Sequence, residues 1–251
     1  MPGNESAVIK FLLANLGTCD LPQLGNLTHI GNPGSNGSIE TVTDAAQVHS
    51  DNSSKKADIY LNNRGISIKQ TGGNFSFNRI QRKYLPKFFE SINLSRPVLS
   101  TFKLDNLVHE FHAGNLQSRN QPWDLVFDEN DFSQLLRYLM LIGSPKGPSS
   151  HPAELILTAP AILSSVEQIA LQTFEKYFES TKDKISLSIR RQWVGQSSDS
   201  EHARALGIAS NFGNSPWVFE NVIGTPNSGW REGWPVKDRK TVYFLMLEER
   251  S

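Results

Sequence analysis

Cysteine is almost missing from this chain: Cys19 is the only one in 251 residues. No intrachain disulfide and no cysteine-rich zinc site can form. Long apolar runs are missing as well. The longest, residues 138–142 and 243–247, fall far short of a membrane span, so no membrane partner is expected. An excess of one charge is missing: 25 Lys and Arg balance 25 Asp and Glu. That excludes a histone-like protein held to nucleic acid by bulk charge, but not a neutral enzyme with a basic cleft. No secretory leader is expected, because Glu5 precedes the first apolar run and no small-residue cleavage signal follows it. A soluble, cytoplasmic protein is the expectation. The Asn-x-Ser/Thr triplets at Asn26, Asn52, Asn74 and Asn93 are then chance products of an Asn- and Ser-rich chain. No Gly-rich phosphate loop and no nucleophile-elbow serine is present. Cys19 sits in a predicted loop and is expected to be an inert thiol.

What is present is a globular composition, 38% hydrophobic and 20% charged. The spacing of Val8, Leu12, Leu13 and Leu16 predicts a helix over residues 4–16, capped by Asn4 and stopped by Gly17. Residues 17–38 are rich in Gly, Asn, Pro and Ser and read as loop, and residues 39–49 as helix or strand. A helix is expected over 78–92, kinked or restarted at Pro86. Further helices are expected over 104–112, over 131–142 with Asp131 as cap and Gly143 as stop, and over 165–180. The last would turn Val166, Ile169, Ala170, Phe174 and Tyr177 inward. Strands are expected at 154–158, 184–194, 216–223 and 241–248. With no repeat and no long linker, residues 1–251 read as a single α/β domain, a central mixed sheet flanked by helices.

Residues 57–70 carry the chemistry. Two alternating runs flank a turn at residues 62–65, which predicts a hairpin. With the turn centred between Asn63 and Arg64, Ile59 faces Ile68 and Leu61 faces Ile66. Asp58 then lies opposite Lys69, and Tyr60 opposite Ser67, all four on one face. Directly paired residues hold their Cβ atoms roughly 4.5–5.5 Å apart. Such a pair is either a solvated cross-strand salt bridge, worth roughly 0–1 kcal/mol, or a phosphodiester-cleaving site. In the second case the carboxylate holds a divalent cation and the ammonium group stabilises charge growing on the phosphate.

The segments Lys56-Ala57-Asp58-Ile59-Tyr60 and Ile66-Ser67-Ile68-Lys69-Gln70 resemble the active-site hairpin of the PD-(D/E)xK nucleases. Within that superfamily they look most like type II restriction endonucleases. The likeness extends through residues 71–82 and, more weakly, residues 224–234 and 241–248. It implies a restriction-endonuclease-like fold and a site-specific, magnesium-dependent endonuclease that cuts double-stranded DNA within restriction–modification. It implies Asp58 and Lys69 as catalytic residues, Asp58 as metal ligand to Mg2+, and a homodimer as the form that reads a symmetric site. Two positions depart from the family pattern. Ala57 replaces a proline without chemical task, and Ser67 stands where a second acid is usual. Glu5, Glu40 and Glu90 are candidates for the missing carboxylate, and the family's use of the helix before the hairpin favours Glu5 or Glu40. The alternative function is a catalytically inactive DNA-binding protein of the same fold. A carbohydrate- or peptide-binding module using the Trp-rich C-terminal part is a third.

Charge placement points the same way. Between Lys55 and Lys87 there are eight basic residues and one acid, Asp58. Arg79, Arg82 and Lys83 would neighbour one another on the expected helix and suit a phosphate backbone. Gln70 and Asn74 follow the catalytic strand, Arg190 and Arg191 lie on an expected strand, and Arg231 lies in a Gly/Pro/Trp loop. These five are the expected readers of base edges. Asp124, Asp128, Glu129 and Asp131 form an acidic cluster expected to face solvent or cap a helix. His109 and His112 are three apart, not the four that the zinc-hydrolase pattern needs.

Overall fold

The computed structural model describes residues 4–48, 55–72, 75–112, 115–193 and 241–249. The expected strand at 216–223 lies outside them. In chain order the elements begin α1 (Glu5–Ala14), β1 (Asp20–Leu21), β2 (Gly25–Asn26), β3 (Ile30–Pro33), β4 (Ile39–Thr41), β5 (Ile59–Leu61) and β6 (Arg64–Gln70). There follow β7 (Phe75–Gln81), α2 (Leu85–Ser91), α3 (Pro97–His112), β8 (Asn120–Pro122), α4 (Glu129–Arg137), β9 (Gly143–Ser144) and β10 (Gly147–Pro148). The last are β11 (Leu155–Ala159), β12 (Ala170–Gln172), α5 (Phe174–Thr181), β13 (Ile185–Trp193) and β14 (Thr241–Glu249). The chain divides into two compact units. One is Met1–Phe75, Ser133–Lys184 and Glu249–Ser251; the other is Ser76–Phe132 and Ile185–Glu248.

The first unit is α/β, built on a six-stranded sheet in the order β12-β11-β6-β5-β3-β4. The sheet is mixed: β6 runs parallel to β11, and the other pairings are antiparallel. Ile59, Leu61, Ile66 and Ile68 make its apolar floor and are buried with Val8, Ile9 and Leu12 of α1. Burying such a side chain is worth about 1.5–3 kcal/mol, so this floor specifies which face the hairpin turns to the helix. The stripe on α1 is Val8, Ile9 and Leu12; Leu16 lies past the helix and is exposed. Asn4 stands at the helix start but makes no side-chain cap. Its Nδ2 donates instead to the carbonyls of Ala159 (2.6 Å) and Pro160 (3.0 Å), tying α1 to the end of β11.

The hairpin turn is two residues, Asn62 and Asn63, both left-handed (φ 48° and 65°). Asparagine tolerates that region, and such turns match the twist of the strands. The register is therefore Ile59↔Ile66, Tyr60↔Gly65, Leu61↔Arg64, two residues from the expected one. Because the slip is even, Ile59, Leu61, Ile66 and Ile68 keep the apolar face. Gly65 is not the turn glycine that the sequence suggested. It lies in β6 where a Cβ would collide with the Pro152 carbonyl. Asn62 also organises its surroundings. Its Oδ1 accepts from the N–H groups of Thr28 (3.0 Å) and His29 (3.1 Å), and its Nδ2 donates to Asn26 O (2.9 Å).

Two stretches of the first unit differ from expectation. Part of the expected loop 17–38 is β3, a buried strand of the central sheet. The expected helix 165–180 breaks into a 3-10 turn, Val166–Gln168, then β12 and α5. Ile169 and Leu171 are buried while Ala170 is exposed, a period of two that suits pairing with β11. Sheet pairing outweighs a helical pattern that Ile169 also fits. A new helix then starts where Thr173 Oγ1 accepts from Lys176 N.

The second unit holds a four-stranded sheet in the order β7-β14-β13-β8, with α2 and α3. The expected helix 78–92 is mostly strand: residues 75–81 form β7, a 3-10 turn covers Arg82–Tyr84, and Pro86 sits in the first turn of α2. Arg79, Arg82 and Lys83 therefore do not share a helical face. Asp128, not Asp131, caps α4, with its Oδ1 accepting from Asp131 N (2.8 Å). Asp131 is buried and takes both the N–H (2.7 Å) and the hydroxyl (2.8 Å) of Ser95.

Candidate active site at the open end of the hairpin

The chain before β5 leaves the ladder. The backbone N–H groups of Lys56 and Ala57 both donate to the His151 carbonyl, at 3.0 and 2.9 Å. Asp58 N donates to Ile66 O at 2.8 Å, so residues 58 and 59 crowd one position of β6. With Ala57 drawn away, the N–H of Ile68 would lose its ladder partner. The Asp58 carboxylate replaces it: Oδ2 accepts from Ile68 N at 2.6 Å. This fixes the carboxylate on the strand that carries Lys69, which tethering by a backbone N–H makes stiff.

Lys69 is half-buried. Its Nζ donates to Ser67 Oγ (2.9 Å) and Ile68 O (3.1 Å). The solvated cross-strand salt bridge, the alternative to a phosphodiester-cleaving site, is not formed: among the described ion pairs, such as Arg64–Glu154 and Arg137–Glu175, none joins Asp58 to Lys69. Nor is the face solvated. Ser67 is buried between β5 and β11, and Tyr60 is buried with its hydroxyl 2.9 Å from His151 Nδ1.

Glu5 joins this end of the hairpin from the first turn of α1. Burial and the negative charge of Asp58 push its carboxyl above the usual range, and Lys69 acts against that shift. Of the three candidates for the missing acid, Glu5 is the one whose charge interacts with both Asp58 and Lys69. Glu40 lies exposed on β4, the far edge strand, and Glu90 lies exposed on α2 in the second unit. Lys56 is the residue that sequence reasoning missed. Burial, and then the charge of Lys69, push its ammonium group down to about 8, with Asp58 opposing. Its Nζ donates to Leu139 O at 2.6 Å, in the π turn Tyr138–Ile142. The available signal was its place two residues before Asp58. Alternation would have put it on the Asp58 face.

The basic block around Asp58 is largely engaged within the protein. Lys55 Nζ donates to Pro33 O, Lys56 to Leu139 O, and Arg64 pairs with Glu154. Arg82 makes a two-pronged pair with Asp105 of α3, at 2.7 and 2.8 Å. Arg79 lies on β7, and Arg190 and Arg191 on β13, all in the second unit, as does Lys83. Gln70 ends β6 in register with Ala159 of β11. Asn74 and Arg231 lie outside the described residues. Cys19 lies in the loop before β1 and is buried, and burial pushes its thiol up, as an inert thiol requires.

Chemically, the end of the hairpin offers two carboxylates and two ammonium groups. Two carboxylate oxygens are hard donors, suited to a magnesium ion that keeps most of its waters. Among the described residues no group of three His, Cys, Asp or Glu converges, and no helix is long and apolar enough to cross a membrane. No family model, no curated protein and no solved structure matches the chain.

Proposed function

We propose that this protein is a magnesium-dependent endonuclease that hydrolyses phosphodiester bonds of double-stranded DNA at a specific site, as the likeness to PD-(D/E)xK restriction endonucleases implies. The observation that carries the reading is the meeting of Glu5, Asp58 and Lys69 at one end of the hairpin, although Glu5 is more than fifty residues away in sequence. In this reading Glu5 supplies the carboxylate that Ser67 lacks, and Glu5 and Asp58 hold the metal. A bound magnesium ion would supply charge neutralisation and a more acidic water. Lys69, held toward β6 by Ser67 Oγ and Ile68 O, stabilises the charge on the phosphate and orients the attacking water. Burial first, and the charge of Asp58 second, hold the Glu5 carboxyl above its usual range; a cation bound between the two carboxylates would favour their charged forms.

DNA contacts divide as follows. Arg79 and Lys83 are the phosphate contacts of the second unit. Arg82 reaches a phosphate only by exchanging Asp105 for it. Gln70, Asn74, Arg190, Arg191 and Arg231 remain the proposed base readers, and a homodimer the form that reads a symmetric site in the cytoplasm. The test is incubation of supercoiled plasmid with the protein and Mg2+. Discrete fragments that vanish with EDTA support the reading; intact plasmid over a wide range of sequences and divalent metals removes it.

One observation favours a second reading, a DNA-binding protein of this fold without cleavage. Ser67 is buried and accepts a hydrogen bond from Lys69, a contact that keeps the ammonium group satisfied without substrate. Sequence-specific DNA binding with no cleavage in any divalent metal would support it.

A further inference from the structure

Asn4 stands where an asparagine ordinarily caps a helix, its side-chain oxygen accepting from a backbone N–H of the first turn. It makes no such bond. Its amide group goes instead to two carbonyls that lie 155 and 156 residues away in sequence. Nδ2 donates to Ala159 O at 2.6 Å and to Pro160 O at 3.0 Å, and the residue is buried. An asparagine amide has two N–H donors, and both are used. The main chain of the same residue opens the helix, since Val8 N donates to Asn4 O at 2.9 Å. Acceptors on two consecutive residues fix the direction of the first turn as well as its distance.

The shared acceptor ties this bond to the candidate site. Ala159 O also takes the backbone N–H of Thr71, at 2.8 Å. A carbonyl oxygen has two lone pairs, and each here has a donor. One atom therefore joins three segments: the start of α1, the end of β11 and the residue that follows β6. The residues of the proposed site stand close along the chain on either side of it. Glu5 follows Asn4, and Lys69, in register with Thr158, comes two residues before Thr71. An uncapped helix start and a strand end are each the first parts of an element to open. Through Ala159 O each is held by the other.

We propose that Asn4 is a positioning residue: through Ala159 O it locks the first turn of α1 to the end of β6, so that Glu5 and Lys69 keep a fixed separation. The consequence for a bound metal rests on the nuclease reading, whereas the clamp itself can be tested without Mg2+ or DNA. Asn4→Ser keeps a residue of equal capping rank but has one donor on a shorter side chain. Asn4→Gln keeps both N–H donors on a longer one. Lys10→Gly, at an exposed position inside α1, weakens the helix and leaves the clamp intact. The first readout is hydrogen exchange of the Thr71 N–H in the full-length protein. Asn4→Ser is expected to speed it about tenfold or more, Asn4→Gln to restore most of the protection, and Lys10→Gly to change nothing. The second is Mg2+ affinity by titration calorimetry, which mere weakening of the helix would not move. Asn4→Ser is expected to lower it about tenfold or more, with recovery in Asn4→Gln and no change in Lys10→Gly. Wild-type exchange at Thr71 in Asn4→Ser overturns the proposal. Faster exchange with unchanged Mg2+ affinity also overturns it, since Asn4 is then a structural tie alone. Should Asn4→Ser not fold, the Asn4 side-chain N–H groups of wild type decide instead. Exchange as slow as that of Thr71 supports the clamp, and free exchange overturns it. Plasmid cleavage is measured on the same wild-type preparation. A clamp that responds as expected in a protein that neither binds Mg2+ nor cuts DNA leaves the positioning of α1 standing and removes the nuclease reading.

Discussion

Two polar clusters flank the β5–β6 hairpin, and they are built on opposite principles. Around His151 the groups are neutral and satisfied. Tyr60 Oη lies 2.9 Å from Nδ1, Gly34 O lies 3.1 Å from Nε2, and the His151 carbonyl takes two backbone N–H groups. The imidazole has no exposed surface. With Nε2–H donating to Gly34 O, Nδ1 accepts from the tyrosine hydroxyl, so one neutral tautomer meets every partner. Around Lys69, by contrast, the groups are charged and half-buried, and both like and opposite charges act on one another. A satisfied buried network adds rigidity, whereas half-buried charged groups cost desolvation and cluster at functional sites. Burial alone does not separate structural from functional polar groups. The balance of charge among neighbours does.

The largest expected effect lies in the charged cluster. Asp58→Asn and Lys69→Ala should each lower plasmid cleavage by about 10³-fold or more, the scale of losing a group that stabilises transition-state charge. Near-normal cleavage by either variant breaks the comparison. Next is the neutral cluster. His151→Ala should lower folding stability in urea by about 2–4 kcal/mol, since it leaves a cavity and two buried polar groups without partners. Cleavage by the folded fraction should persist; a variant of full stability and no activity would place His151 in the wrong cluster.

Glu5→Gln sharpens the contrast, because it should act in opposite directions on function and stability. Cleavage should fall and need more Mg2+. The pH dependence of stability follows from the raised pKa. Below about 4.5, the ordinary glutamate value, Glu5 is protonated folded or unfolded and costs nothing. As pH rises through its folded pKa, the native state holds the proton longer than the unfolded chain, so stability falls. Glu5→Gln should lack that decline and gain on wild type near neutral pH. Equal pH–stability curves for the two proteins would show that neither burial nor Asp58 raises the Glu5 carboxyl. A smaller effect is expected at Asn62→Ala, about 1–3 kcal/mol from the lost hydrogen bonds, read by thermal melting. The smallest concerns Cys19, whose buried, protonated thiol should resist a thiol reagent at pH 8 until denaturant is added. Rapid labelling of the native protein would contradict its burial.

The hairpin was legible because its information is local. Ile59, Leu61, Ile66 and Ile68 alternate, so the floor follows from a period of two, whatever the register. The register itself depended on the turn, and Gly65 misled because a glycine between strands looks like turn chemistry. In the chain it answers a steric demand from Pro152, which adjacent sequence cannot show. The 75–92 and 165–180 stretches misled for a related reason. Phe75, Phe77 and Ile80 allow strand or helix, and the choice fell to pairing in a sheet with β13 and β14, more than a hundred residues on. Residues 169–172 fit a helix until β11 offered them a partner.

By itself the sequence determined that residues 57–70 form a hairpin with one apolar face, and that α and β elements mix in this order. Side-chain alternation and turn propensity act over a few residues and need nothing else. Only the tertiary structure decided that Glu5, rather than Glu40 or Glu90, stands beside Asp58. It alone turned Lys56 to the Leu139 carbonyl and sealed Tyr60 against His151. Those juxtapositions depend on where α1 docks on the apolar floor and where the chain leaves the ladder before β5. Both are set by the burial of side chains distant in sequence and by backbone N–H groups that must find acceptors once the ladder ends.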